Sequence, residues 1–407
     1  MSQKQQQVLR IILATLVGLA LIFELVRDSQ RAGDFIGYIN AGNAVINGTP
    51  IYADYLNTWP PFFAVFSVPF AYVDAVSPLL VRLIWLCGII VSWFYITKSA
   101  VSLTNGKELV LKPSDESKAI WLLDWKVFIP LLLILRFVID DLSNIQINSY
   151  LLLASLFVIG CHMKQKYLAG GIVLGFIIAL KVYPVFLLPF FMYRKAYKLS
   201  AIAIGTIAMT VAISFMVFGP TEGLSNYQNW ISNKAMGETI LTHKNQSIFP
   251  FMEGLATSQS RGLEVHYNML DLPAKTVKMI TFCLIVVFAL LVAFRFRKPK
   301  TMSQVVGQFF FVLAAIPVLS PLAWKYYFVF TFPLIFLQFT RLNDKEVEHK
   351  SIVKWLFVAA MVLSIGSTDG ILGARISDVL EVFGVVTFAA ICLLLSFVLS
   401  YKTVPKE

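Results

Sequence analysis

Residues 199–218 read Leu-Ser-Ala-Ile-Ala-Ile-Gly-Thr-Ile-Ala-Met-Thr-Val-Ala-Ile-Ser-Phe-Met-Val-Phe, twenty positions without one charged side chain. At about 1.5 Å per residue such a helix is about 30 Å long, the thickness of bilayer hydrocarbon. Blocks with almost no charge also occupy 8–26 and 277–294. The rest of the chain follows suit: of 407 residues, 58% are hydrophobic and 14% charged. Soluble domains carry roughly 45–50% apolar and about 25% charged residues. The composition therefore predicts an all-α polytopic membrane protein, and it excludes a secreted domain, a cytosolic enzyme or a nucleic-acid binder as whole-chain readings.

The net charge of +11 comes from 34 Lys+Arg against 23 Asp+Glu, and most of the basic residues lie in short segments between apolar blocks. That distribution reports orientation, because cytoplasmic loops retain Lys and Arg. Basic clusters lie at Lys4/Arg10, 98–126, Lys164/Lys166, Arg194/Lys195/Lys198, 295–300, 341–354 and Lys402/Lys406. Placing them all inside predicts crossings near 8–26, 78–99, 127–140, 148–162, 168–180, 183–193, 199–218, 275–294, 305–319, 328–340, 352–367 and 380–400. This makes about twelve transmembrane helices in a single domain over 1–407, with Lys112 cytoplasmic and Ser258 external. The block 8–26 is too long for a signal-peptide core and no small-residue cleavage site follows it, so it is expected to remain as the first helix. The four cysteines, Cys87, Cys161, Cys283 and Cys392, sit inside apolar blocks and read as small buried packing groups.

Residues 60–73 cannot cross independently without inverting the later clusters, and they read as a juxtamembrane or half-inserted helix. Residues 168–179 and 182–192 are each too short to span alone. They read as two half-length helices meeting at Lys181-Val182-Tyr183-Pro184, a tip at depth that is tolerated where it lines a polar cavity. With this parity the outer side collects the uncommon polar segments, notably a first outer loop within 27–76 and a large outer loop over 219–274. No internal repeat is visible.

The first outer loop opens Gly33-Asp34-Phe35-Ile36-Gly37-Tyr38-Ile39-Asn40-Ala41 and continues through Gly48-Thr49-Pro50-Ile51-Tyr52 to Trp59-Pro60-Pro61. Phe35, Ile36, Ile39, Val45 and Ile46 share an apolar face at helical spacing, opposite Asn40, Asn43 and Asn47. This predicts an amphipathic helix lying on the membrane surface with Asp34 at its N-terminus. From spacing alone Asp34 reads as an N-cap that accepts backbone N–H bonds.

These motifs resemble those of GT-C class membrane glycosyltransferases, most closely glycosyltransferase family 87, which includes polyprenyl-phosphate-mannose-dependent α-mannosyltransferases. The resemblance runs from about Asp34 to Tyr327. It rests on Asp34, Tyr38 and Ala41; Gly48, Tyr52 and Trp59-Pro60-Pro61; Gln146 and Asn148; Gly170, Gly171, Gly175, Lys181 and Pro184; Asn245-Gln246-Ser247; and Ser320, Pro321 and Trp324. It departs at one point: family members often carry a His two residues after that Trp, where this chain has Tyr326 preceded by Lys325. Either Lys325 makes the anionic contact or the donor differs.

The resemblance implies transfer of a mannose-like hexose, with inversion, from a polyprenyl-phosphate-sugar to a lipid or glycan acceptor. The reaction would face outward from a bacterial plasma membrane. Asp34 would be the general base that takes the acceptor hydroxyl proton. The leaving phosphate gains charge, and fixed cations aimed at it stabilise the transition state. Lys181 is the first candidate, because an ionisable group between two half-helices is costly unless it meets an anion; Lys325 and Arg261 are secondary. Tyr38, Tyr52 and Trp324 are candidate substrate contacts with Gln146 and Asn148. His243, Asn245 and Gln246 either hydrogen-bond sugar hydroxyls or cap the following turn. Asp140 and Asp141 point about 100° apart on a helix, so one of them faces the site. No cofactor and no metal are expected, since a single phosphate needs less neutralisation than a diphosphate, and no nucleic-acid partner. A transporter or flippase is the alternative, but that class usually shows internal symmetry and several ionisable groups at mid-membrane.

Overall fold

The computed structural model describes residues 3–54, 56–112, 116–235, 239–342 and 349–401. Lys402, Lys406 and residues 343–348 of the basic segment 341–354 lie outside the described residues. The chain divides into two compact units, one of residues 1–128 and 138–237, the other of 129–137 and 238–407.

The first unit begins with α1 (Gln3–Ser29), α2 (Phe35–Asn47), α3 (Pro61–Val76) and α4 (Pro78–Asn105). Local chemistry sets these boundaries. Pro60 and Pro61 preset the first turn of α3, where a missing N–H costs nothing. The Ser77 hydroxyl accepts from the Leu80 N–H to start α4, and Gly106 in the left-handed region (φ 64°) ends it. A two-stranded parallel ribbon, β1 (Glu108–Val110) and β2 (Ala119–Trp121), occupies the Lys-rich segment that follows. Next come α5 (Trp125–Ser143), whose middle residues belong to the second unit, and α6 (Asn148–Met163). Then α7 (Tyr167–Leu180) breaks at Lys181–Val182 into a 3₁₀ turn (Tyr183–Phe186) and α8 (Leu187–Tyr193). The unit closes with α9 (Tyr197–Phe218) and α10 (Pro220–Asn229).

Glycines let the helices of this unit approach closely. A Cβ on Gly42 of α2 would stand 2.7 Å from the Ser67 carbonyl oxygen of α3. On α7, a Cβ at Gly171 would stand 2.7 Å from the Leu199 carbonyl oxygen of α9, and one at Gly175 would stand 2.6 Å from Thr206 Cβ. The Gly171-x-x-x-Gly175 spacing puts both on one face, the small-residue seam that lets backbones meet where no hydrophobic effect drives packing.

The second unit contains α11 (Ile248–Ala256), α12 (Ala274–Arg295), α13 (Met302–Leu319), a 3₁₀ turn (Lys325–Thr331) and α14 (Phe332–Arg341). It continues with α15 (Lys350–Gly366), α16 (Asp369–Leu372), α17 (Ala374–Val382) and α18 (Val385–Ser400). Its α11, α12, α13 and α18 line a half-open apolar cavity of about 200 Å³, bordered by Met252, Leu284, Phe288, Leu319 and Leu395 among others.

The protein is thus nearly all-α with membrane-length helices, but the count of twelve crossings is not reproduced. Among the described residues five helices are long and apolar enough to cross, namely α1 from Gln5, α4, α9, α12 and α13. They become six if α17 and α18, bent by 61°, act as one. The helices α3, α6, α7 and the Tyr183–Tyr193 stretch are apolar but shorter. A 16-residue helix such as α6 reaches about 24 Å, short of the hydrocarbon thickness.

Two further expectations are corrected. The buried face of α2 is Phe35, Gly37, Tyr38, Ile39, Ala41 and Gly42, packed on α3, whereas Ile46 is 39% exposed. Of the cysteines, Cys161 is buried while Cys87 and Cys283 are exposed on α4 and α12. Both errors have one cause: a helix in lipid is apolar on its outer face as well, so hydrophobic spacing does not distinguish protein from bilayer.

Candidate active site

The turns of the first unit converge on a continuous polar network. Asp34 occupies the N-cap position of α2, yet its side chain makes no capping bond. Instead its Oδ2 accepts from Gln146 Nε2 at 2.7 Å. The other end of that amide, Gln146 Oε1, accepts from the Tyr38 hydroxyl (3.1 Å) and from Lys181 Nζ (3.3 Å). Lys181 Nζ also donates to Asn148 Oδ1 at 3.1 Å, and the Tyr183 hydroxyl donates to the same oxygen. Asn148 Nδ2 donates to Asp141 Oδ1 (2.9 Å), while Asp141 Oδ2 accepts from the Ser149 hydroxyl (2.6 Å) and backbone N–H (3.2 Å). The Trp93 indole N–H completes the chain on Ser149 Oγ at 2.9 Å.

Each link is held by the element that carries it. Tyr38 sits in an aromatic enclosure, with ring centroids of Trp59 at 4.6 Å and Phe63 at 4.8 Å, both edge-on. Tyr52 tethers this wall by donating to the Trp59 carbonyl oxygen at 2.8 Å. The α5–α6 turn passes through Ile145 with φ 49°. A β-branched residue there is strained by about 1–3 kcal/mol and persists only where its surroundings over-determine it. The Trp85 indole N–H pins the next residue by donating to the Gln146 carbonyl at 3.2 Å. Lys181 is 6% exposed at the extended C-cap of α7, and its Nζ stands 5.4 Å from the Tyr183 ring centroid. Asp141 is fully buried while its neighbour Asp140 is half-buried, as their angular separation on α5 requires.

The second unit holds the remaining sequence-predicted residues in a different arrangement. Arg261 is fully buried and donates to the backbone carbonyls of Val382 (2.7 Å) and Asn245 (2.5 Å). Asn245 Oδ1 accepts from the N–H groups of Ala323 (3.0 Å) and Ser247 (3.3 Å). Gln246 Nε2 donates to the Glu381 carbonyl at 2.7 Å. Lys325 Nζ pairs with Glu381 Oε1 at 3.0 Å, and Arg136 NH2 pairs with the same oxygen at 2.8 Å. Trp324 stands half-buried at the start of the 3₁₀ turn, and Tyr326 is buried against Tyr327. Among the described residues one cluster has metal-ligand chemistry: atoms of His243, Asp378 and Glu381 lie within 4.8 Å of one another. Arg136 and Lys325 both pair with Glu381 of this cluster, and His243 Nε2 lies 3.5 Å from Asp378 Oδ1.

Sequence reasoning did not single out Tyr183, Ser149, Trp93, Trp85, Arg136 or Glu381. Tyr183 lies within the quoted Lys-Val-Tyr-Pro tip, where its hydroxyl is the signal. Glu381 and Arg136 are 245 residues apart and carry no local signature.

The first unit thus brings together a half-buried carboxylate, a buried ammonium and two amides, which suits proton acceptance beside anion binding. No curated protein and no solved structure matches the chain. The family model of glycosyltransferase family 87 matches residues 57–321, a stretch that contains Gln146, Asn148, Lys181 and Asn245 and begins after Asp34 and Tyr38. On that match over most of its length, the chain belongs to glycosyltransferase family 87.

Proposed function

We propose that this glycosyltransferase moves a mannose-like hexose from a polyprenyl-phosphate-sugar to a lipid or glycan acceptor at the outer face of a bacterial plasma membrane. The acceptor oxygen attacks the anomeric carbon, its proton passes to Asp34, and the bond to phosphate breaks with its electron pair going to the leaving polyprenyl phosphate. Attack opposite the leaving group inverts the anomeric configuration. Lys181 faces the phosphate as charge builds on it. Tyr38 and Tyr52 shape the acceptor side, and Asp141 supplies the buried counter-charge.

The observation that carries this reading is the placement of Asp34: a carboxylate at a helix start whose side chain leaves the cap unmade and joins the amide beside Lys181 instead. For the cations of the second unit we propose other duties. Arg261, with Asn245 and Gln246, holds backbone segments together, and Lys325 balances Glu381.

Asp34→Asn tests the reading, with radiolabelled polyprenyl-phosphate sugars as donors and total membrane lipids as acceptors. As a mere helix start the change is nearly silent, because Asn caps as well as Asp. As the general base it lowers turnover by about 10²–10⁴-fold while thermal stability stays near wild type. Near-normal turnover in Asp34→Asn removes the proposed mechanism.

A further inference from the structure

We propose that Gln146 and Asn148 are positioning residues that lend Lys181 to an incoming phosphate, with the hydroxyls of Tyr38 and Tyr183 taking its place on their amide oxygens. The inference rests on the proposed role of Lys181 as the cation that faces the donor phosphate.

The two amides are oriented alike. Each turns its oxygen to Lys181 Nζ and its nitrogen to a carboxylate, Gln146 to Asp34 and Asn148 to Asp141. With both ends committed, neither amide can flip without placing a donor against the ammonium and an acceptor against the carboxylate. The backbone beneath them is equally fixed. Gln146 and Asn148 are 1% and 0% exposed, and they directly follow the strained Ile145 in a turn pinned by the Trp85 indole.

This arrangement bears on how an anion reaches a buried cation. When Lys181 moves to a phosphate it gives up two amide oxygens, and a buried acceptor left without a donor is penalised. Here each oxygen has a second donor already in place: the Tyr38 hydroxyl on Gln146 Oε1 and the Tyr183 hydroxyl on Asn148 Oδ1. The exchange therefore leaves neither oxygen orphaned, and the phosphate gains a charge-assisted bond. The amide nitrogens meanwhile stay on Asp34 and Asp141, so the base keeps its position as the phosphate arrives. Glu381 in the second unit shows the opposite design: one carboxylate oxygen holds both Lys325 and Arg136, which an anion could reach only by breaking ion pairs.

The double variant Tyr38→Phe/Tyr183→Phe tests this, because it removes the two substitute donors and leaves the amides and Lys181. Tyr227→Phe serves as control; its hydroxyl donates to Ser214 Oγ at 3.3 Å, outside the network. Binding of polyprenyl phosphate to the full-length protein in detergent is measured calorimetrically, so no turnover is needed, and the melting temperature of the unliganded protein is recorded alongside. The expected result is a Kd at least tenfold weaker in the double variant and within twofold of wild type in Tyr227→Phe, with both variants folded. A Kd within twofold of wild type in the double variant overturns the inference. If that variant does not fold, the single variant Tyr183→Phe is read the same way, with a threefold loss expected and an unchanged Kd overturning the inference. The result is independent of Asp34→Asn: inactive Asp34→Asn with unchanged phosphate binding in the tyrosine variants sinks the exchange and keeps the base, whereas active Asp34→Asn sinks the base alone.

Discussion

Lys181 and Lys325 are both partly or fully withdrawn from solvent, and their acceptors give them different work. Lys325 meets a carboxylate oxygen that Arg136 also meets, with the Glu381 side chain fully buried. Breaking such a pair by removing one partner leaves an uncompensated buried charge and costs about 3–5 kcal/mol. Lys181 donates to two neutral amide oxygens. Two substitutions separate the roles. Glu381→Gln is expected to destabilise the protein by about 3–5 kcal/mol, read as a lowered denaturation midpoint. Lys181→Met is expected to cost less, about 1–3 kcal/mol of stability, since each amide oxygen keeps a tyrosine donor while buried Asp141 loses a counter-charge. Its penalty falls on donor binding and turnover, because a buried cation facing an anion is worth about 2–5 kcal/mol. Unaltered kinetics in Lys181→Met, or a large stability loss there, contradicts this assignment.

At the scale of elements, the seam between α7 and α9 sets where Lys181 stands, because α7 ends at that residue. Gly171→Val forces a side chain against the Leu199 carbonyl oxygen, a backbone atom that cannot rotate away. Overpacking of this kind costs about 1–3 kcal/mol or more. Gly205→Ala on α9 is the matched opposite: a Cβ there meets nothing within 4 Å. It should gain up to about 1 kcal/mol of helix propensity. Thermal melts of the two variants should therefore move in opposite directions, and a neutral Gly171→Val refutes the seam. These elements also show what the sequence could and could not disclose. The break at Lys181–Val182 is legible because Pro184 cannot continue a helix, and Gln146 and Asn148 stand out as polar groups between apolar blocks. The buried face of α2 is not legible, because Ile46 and Ile39 are equally apolar and only packing on α3 separates them. Nor is the pairing of Arg136 with Glu381, whose residues meet only when the chain has folded.

For the molecule as a whole, the first unit reconciles a predicted even number of short crossings with the few membrane-length helices observed there. Helix α1 is long and apolar enough to cross once, and Asp34 follows it. Helix α4 is long and apolar enough to return, to the segment that holds Lys107, Lys112 and Lys118. Between α4 and α9 the helices follow as α5 and α6, then α7 and α8, each two joined by a turn that carries a residue of the polar network. Hydrogen bonds join both turns to Asp34, Gln146 directly and Lys181 through that same Gln146, so both turns are expected on the side of Asp34. A pair that leaves one side and returns to it preserves parity whether its helices span the bilayer or only enter it. On this topology Lys164, Lys166, Arg194 and Lys195 are expected to share the side of Lys112, the cytoplasm by the positive-inside rule, and α9 to return the chain to the side of Asp34. Single cysteines at the exposed positions Thr49, Lys112, Lys166 and Leu224, in a background with the four native cysteines replaced by Ser, test this arrangement. A membrane-impermeant maleimide should label Thr49→Cys and Leu224→Cys in intact cells stripped of outer barriers, and the other two only after the membrane is opened. Thr49→Cys and Leu224→Cys labelled from opposite sides would break the pairing of short helices on which the parity rests. If both label only after the membrane is opened, the parity survives but the carboxylate and ammonium face the cytoplasm, and the outward-facing transfer proposed for them fails.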